Sequence, residues 1–125
     1  MKISITDISG KVIGYVNDTE VRDSHFNIVG YVIEGEIKDK EYNTIAYVRD
    51  KQIMDSEYKL VGVIDENMIK DSKYNTVCYF SKEELKDPFY NTIGFFDGAL
   101  ELEQMVACIL LLFRLLDIQS ESFAL

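Results

Sequence analysis

Residues 39–47 read Asp39-Lys40-Glu41-Tyr42-Asn43-Thr44-Ile45-Ala46-Tyr47, and residues 87–95 read Asp87-Pro88-Phe89-Tyr90-Asn91-Thr92-Ile93-Gly94-Phe95. Three steps of sixteen residues separate the two stretches, and the same unit recurs at every step between and around them. Asp stands at 7, 23, 39, 55, 71 and 87, and an aliphatic residue at Ile5, Val21, Ile37, Ile53, Ile69 and Leu85. A small residue occupies Gly14, Gly30, Ala46, Gly62, Cys78 and Gly94. All eight tyrosines fall in two slots, one at positions 15, 31, 47, 63, 79 and 95, the other at 10, 26, 42, 58, 74 and 90. Six ungapped copies therefore cover residues 2–97, and a fixed period of this kind marks a repeat architecture.

Each copy reads as strand, tip, strand, turn. Thr44-Ile45-Ala46-Tyr47-Val48 is rich in β-branched and aromatic residues, as strands are. Asp39 and Asn43 bracket a tip and supply side chains that bond their own backbone. Glu34-Gly35 and Glu66-Asn67 suit two-residue hairpin turns with positive φ. About twelve strands of 3–5 residues follow.

A two-residue turn at Asp18-Thr19 predicts that Val16 pairs with Val21 and Tyr15 with Arg22. A four-residue tip pairs Asp23 with Ile28 and Val21 with Gly30. Alternation then puts Val21, Asp23, Ile28, Gly30 and Val32 on one face, and Arg22, Val29 and Tyr31 on the other. Gly10 hints at a bulge in the tip, which would redistribute these residues. Both faces carry apolar residues in every copy, so both must be covered. On the second face the stems of Arg22, Lys38, Lys70 and Lys86 are placed to lie over tyrosine rings.

After Phe96 the period fails. Asp97 is the expected N-cap of a helix, and Glu101 and Glu103 suit its positive end. Met105 to Phe113 is nine consecutive apolar residues, too few for a membrane span of ~20 residues. A helix apolar on every side is expected to be buried all round, part against the hairpin sheet and the rest against another sheet face or a partner's helix. Val106, Ile109, Leu112, Phe113 and Leu116 are the residues expected at an interface with a second copy. Residues 119–125 read as a loose tail, and residues 98–125 belong with the repeats, residues 1–97, in a single domain.

The formal charge of −9, from 13 basic and 22 acidic residues, disfavours nucleic acid and anionic lipid. Cys78 and Cys108 sit among apolar residues and read as buried reduced thiols, and no charged stretch followed by an apolar run opens the sequence. Cytoplasm is the expected location, with no membrane and no cofactor.

Six repeated aspartates could build a calcium ring, but no copy has the multi-carboxylate spacing of a calcium loop. Asp opening a tight turn is the simpler reading, so no metal is expected. His25 follows Asp23 and Ser24 at one tip only and reads as solvated. Nucleophile-elbow, phosphate-loop, zinc-protease and paired-cysteine motifs are all lacking, which argues against an enzyme. The repeated rings offer the one ligand-binding set: Tyr15, Tyr31, Tyr47, Tyr79 and Phe95, which could stack on carbohydrate. Exposed rings would favour that role; buried rings would favour packing.

The units DKEYNTIAY and DPFYNTIGF resemble the hairpin repeats of bacterial β-flower proteins. They are similar, more loosely, to MORN and choline-binding repeats. The β-flower resemblance implies stacked hairpins and no established activity. MORN likeness implies scaffolding with a terminal helix in the sheet groove, and choline-binding likeness implies wall attachment through paired Trp, of which this chain has none. The sequence thus predicts a mainly β array of six hairpins, closed like a flower or open and twisted, with one helix packed on it. It predicts a non-catalytic structural or protein-interaction module that self-associates through its helix, with carbohydrate-like ligand binding as the alternative.

Overall fold

The computed structural model describes residues 2–116; the tail expected at 119–125 lies outside them. Six tip hairpins follow one another: β1 (Lys2–Asp7) with β2 (Val12–Asn17), β3 (Glu20–Asp23) with β4 (Ile28–Ile33), and β5 (Glu36–Asp39) with β6 (Thr44–Arg49). They continue as β7 (Gln52–Asp55) with β8 (Leu60–Asp65), β9 (Met68–Asp71) with β10 (Thr76–Phe80), and β11 (Glu84–Lys86) with β12 (Thr92–Phe96). Several strands reach six residues, one more than the sequence suggested. Every strand pairs antiparallel with its chain neighbours, and β1 pairs with β12, so the array closes into a barrel. Closure removes the exposed edges that an open array of short strands would leave.

Tight turns set the register. Asp18, Glu34, Asp50 and Glu66 take positive φ between 52° and 56°, and Val16 pairs with Val21 and Tyr15 with Arg22 as the turn length predicts. The tips are built differently. Asp23 Oδ1 accepts the amides of His25 and Asn27, each at 2.9 Å, while the Asp23 amide donates to the Asn27 carbonyl. The same pair of amide contacts recurs at Asp7, Asp39, Asp55, Asp71 and Asp87. The aspartates are turn caps.

Each tip hairpin carries a bulge, and here the register departs from expectation. Val21 pairs with Gly30, but Arg22 rather than Asp23 pairs with Ile28, leaving Val29 without a partner position. The equivalent shift frees Ile13, Ile45, Val61, Val77 and Ile93. A bulge re-aims its extra residue, and all six of these side chains pack against the core instead of joining Tyr31 on the outside.

The interior is lined by Ile5, Val16, Val21, Ile37, Ile53, Ile69 and Leu85, all fully buried. The helix fills it. Helix α1 (Leu102–Cys108) runs on as a wider π-helical turn over Ile109–Phe113, and Met105 to Leu110 are all buried. Its start lies near the two-residue turns, since Gln104 Nε2 donates to the Asp18 carbonyl at 3.0 Å. Its end lies against the small-residue slot. A Cβ on Gly14 would sit 2.7 Å from Leu112 Cδ1, one on Gly30 2.6 Å from Leu111 Cδ1, and one on Gly94 2.6 Å from Phe113 Cζ. The slot is crowded from two sides, by these helix side chains and by adjacent backbone carbonyls, Arg22 at Gly14 and Lys38 at Gly30.

The helix start corrects the expected cap. Glu101 holds the N-cap position, its amide donating to Gln104 Oε1 at 2.9 Å in a capping box. Asp97 works at the seam instead, where its Oδ1 accepts the Ser4 amide at 2.8 Å.

Candidate functional site

The interface expected on the helix is already occupied. Val106, Ile109 and Leu116 are buried within the barrel, and Leu112 and Phe113 press on Gly14 and Gly94. A sequence shows that a helix is apolar all round without showing that its own hairpins surround it. Six copies are enough to enclose Met105 to Leu110, while Leu102 stays exposed and Leu111, Leu112 and Phe113 are half-buried.

The outer face is organised into stations. In four of the six, a ring from the second strand of one copy meets the tip ring of the next; Val63 takes the strand position before Tyr74, and Gly10 the tip position after Phe95. Tyr31 and Tyr42 meet edge to face with centroids 4.9 Å apart, Tyr15 and Phe26 at 5.4 Å, and Tyr79 and Tyr90 at 4.9 Å. Tyr47 and Tyr58 stack nearly parallel at 4.5 Å. A cation from the strand between them covers the tip ring: Lys38 over Tyr42 at 4.6 Å, Lys70 over Tyr74 at 4.5 Å, Lys86 over Tyr90 at 4.4 Å, and Arg22 over Phe26 at 4.5 Å. The stems of these four basic residues lie where alternation placed them.

The tip rings stand at φ between 67° and 72°, a left-handed conformation that bulky side chains seldom adopt. Such a backbone costs about 1–3 kcal/mol. An edge-to-face pair contributes ~0.5–1.5 kcal/mol and an exposed cation–ring contact ~0.5–1 kcal/mol, which together offset that cost. The capped aspartate turn supplies the rest.

Polar chains hold the cations in place. Lys38 Nζ donates to Thr44 Oγ1 at 2.9 Å, and Thr44 Oγ1 donates to Glu36 Oε1 at 2.9 Å. Lys86, Thr92 and Glu84 repeat the arrangement. The Thr44 hydroxyl, with Lys38 beside it, lowers the Glu36 carboxyl below its ordinary value. The hydroxyl of Tyr58 hydrogen-bonds Tyr47 and raises that phenol.

Around the ring of stations the residues expected to bind ligand sit at equivalent places, but separate ones. Tyr15, Tyr31, Tyr47 and Tyr79 are half-buried beneath tip rings, whereas Phe95 is exposed. The slot that sequence reasoning favoured is the less exposed of the two. The more exposed rings are Tyr42, Tyr58, Tyr74, Tyr90 and Phe26 at the tips. Their position beside Asp and Asn in a turn was the signal available.

Two places break the pattern. Between Tyr47 and Tyr58 the cation slot holds Met54, which pairs with the exposed Leu60, and the cation at this station, Arg49, lies over Tyr47 at 5.0 Å instead of over the tip ring. At the seam, Phe95, Phe96, Asp97, Gly98 and Ala99 line an open cleft of about 570 Å³ with Lys82 and Glu83. Among the described residues no three of His, Cys, Asp and Glu converge on a common point that could hold a metal ion, and no helix is long and apolar enough to cross a membrane. Cys78 and Cys108 face the packed interior, and burial pushes both thiols up to about 12.

No protein-family model matches the chain, and no curated protein and no solved structure matches it significantly.

Proposed function

We propose that this protein is a non-catalytic protein-interaction module whose working surface is the outer belt of aromatic stations. The observation that carries this reading is the division of labour between the two faces. The inside is packed with the protein's own helix, while the outside presents tyrosines fixed in unusual backbone conformations. Tyrosine supplies large, rigid contact area with a polar tip, which is why it is enriched at protein interfaces. The Tyr58, Met54 and Leu60 station, with two exposed apolar groups and no cation over its tip ring, is the centre of the proposed surface. The looser likeness of the hairpin repeats to MORN repeats is consistent with a scaffold role.

A photoreactive residue in place of Tyr58 tests the reading in the source cells. One discrete protein should cross-link, bind the purified barrel directly, and lose roughly tenfold or more in affinity when Tyr58→Gly and Leu60→Thr are combined. Both replacements are residues that sister copies carry at these positions, Gly10 and Thr44, so the fold should survive. Absence of any cross-linked protein would overturn the proposal.

A second reading, carbohydrate binding, is favoured by the exposure of the tip rings. Quenching of tyrosine fluorescence by a glycan, lost in the same double variant, would support it over the first.

A further inference from the structure

Closing the barrel makes the repeat cyclic, and one station in the cycle lacks its tip ring. Strand β12 supplies Phe95, the equivalent of Tyr79, and closure puts β1 beside it with Thr6 directly opposite. One period on from Lys86 and Tyr90 in the closed ring, the cation and tip-ring positions are Thr6 and Gly10. Neither can cover a ring. Phe95 is 40% exposed as a result, and a Cβ built on Gly10 meets nothing within 4 Å.

The same seam carries two other departures. Phe89 is 83% exposed at a tip position where the other copies have Ser, His, Glu, Glu and Lys. Ile8, on the neighbouring tip, is 68% exposed where the others have Ser, Lys or Pro. A missing ring and a surplus ring thus lie on adjacent hairpins, and Phe89 does not fill the gap in its own chain. A surface that offers both a ring and a place for one is self-complementary, which a two-fold interface requires.

We infer that two copies of this chain associate seam to seam, Phe89 of each covering Phe95 of the other in the space above Gly10. The sister stations specify the occupant, since everywhere else in the belt a Tyr or Phe ring fills that space. The patch is small, so the dimer is a weak one. The charge of −9 on each copy opposes it, and added salt strengthens it. This surface is distinct from the Tyr58 station, so either can fail without the other.

Sedimentation equilibrium of the full chain, from low micromolar to millimolar concentration at low and high salt, tests the inference. The expected mass rises towards twice the 14.4 kDa of one chain and rises sooner at high salt. Phe89→Glu, at an exposed tip, should hold the protein monomeric throughout. Gly10→Tyr should do the same by filling the gap within the chain, with its thermal midpoint kept, because five sister tips carry Phe or Tyr at similar φ. A mass that stays monomeric at every concentration overturns the inference. So does a dimer that both variants leave intact.

Discussion

The Ser4 amide donates to Asp97 Oδ1 at 2.8 Å, and the Asp97 amide donates to the Ser4 carbonyl at 3.1 Å. The two stand 93 positions apart in sequence, yet the pair extends the ladder that joins the first strand to the last. Asp97→Ala removes the side-chain half of this latch and should cost about 1–2 kcal/mol, read as a lower urea midpoint. Faster hydrogen exchange at the amides of Ser4 and Asp97 should accompany it. Unchanged exchange there would mean that the carboxylate does not hold the seam.

The small-residue slot is tested by adding one carbon. In Gly30→Ala the new Cβ would meet Leu111 Cδ1 at 2.6 Å and the Lys38 carbonyl, so a loss of ~1–3 kcal/mol is expected from overpacking. Gly10→Ala meets nothing and should cost at most about 1 kcal/mol, from its φ of 88° alone. Equal losses at the two positions would contradict a helix pressed into the slot.

Leu112→Glu puts a carboxylate between the helix and Gly14. A carboxylate at this half-buried position loses part of its hydration and the leucine's packing, and should remove about 2–3 kcal/mol. The variant should therefore melt earlier in calorimetry. A well-folded variant with a smaller assembly mass would restore the helix as an interface.

Repetition made most of this architecture readable: the six copies, the two-residue turns and the basic stems over the rings all follow from local chemistry recurring every sixteen residues. What was hidden depends on distance. Nothing near Asp97 shows that Ser4 comes to meet it, so a residue suited to capping a helix instead closes a barrel. Nothing near Val106 shows that six hairpins surround it. The outward assignment of Val29 failed for a local reason, because one bulge reverses the alternation on which it rested. The ring slots were evident, but their relative exposure is set by the left-handed tip backbone, which places Tyr42 above Tyr31.

Acid should loosen the tips first. Asp23, Asp71 and Asp87 lie below the ordinary carboxylate value chiefly because the amides of Asn27, Asn75 and Asn91 bond them. Asp7 is lowered first by the Ser9 hydroxyl. A folded value below the unfolded one means that the stabilisation is complete above an unfolded Asp value of about 3.9 and drains as pH falls through the lower folded values. Urea midpoints should stay level from neutral pH to about 5 and fall below about 4. Midpoints that do not fall in acid would remove the tip carboxylates from the account.

Cys78 and Cys108, raised to about 12 by burial, should react with a thiol reagent at pH 8 no faster than the barrel opens. In denaturant both should react at once. Rapid labelling of the native protein would show the interior to be reachable from solvent.

The plug follows the shell in the chain. During synthesis all six hairpins leave the ribosome before residues 102–113 do, and until then Ile5, Val21, Ile37 and their fellows line a space with nothing in it. Such a lining cannot stay wet and separate, so the nascent hairpins must remain unassembled, collapse on one another or be held by a chaperone until the helix emerges. The order of translation thereby makes the final segment the template on which the earlier ones assemble.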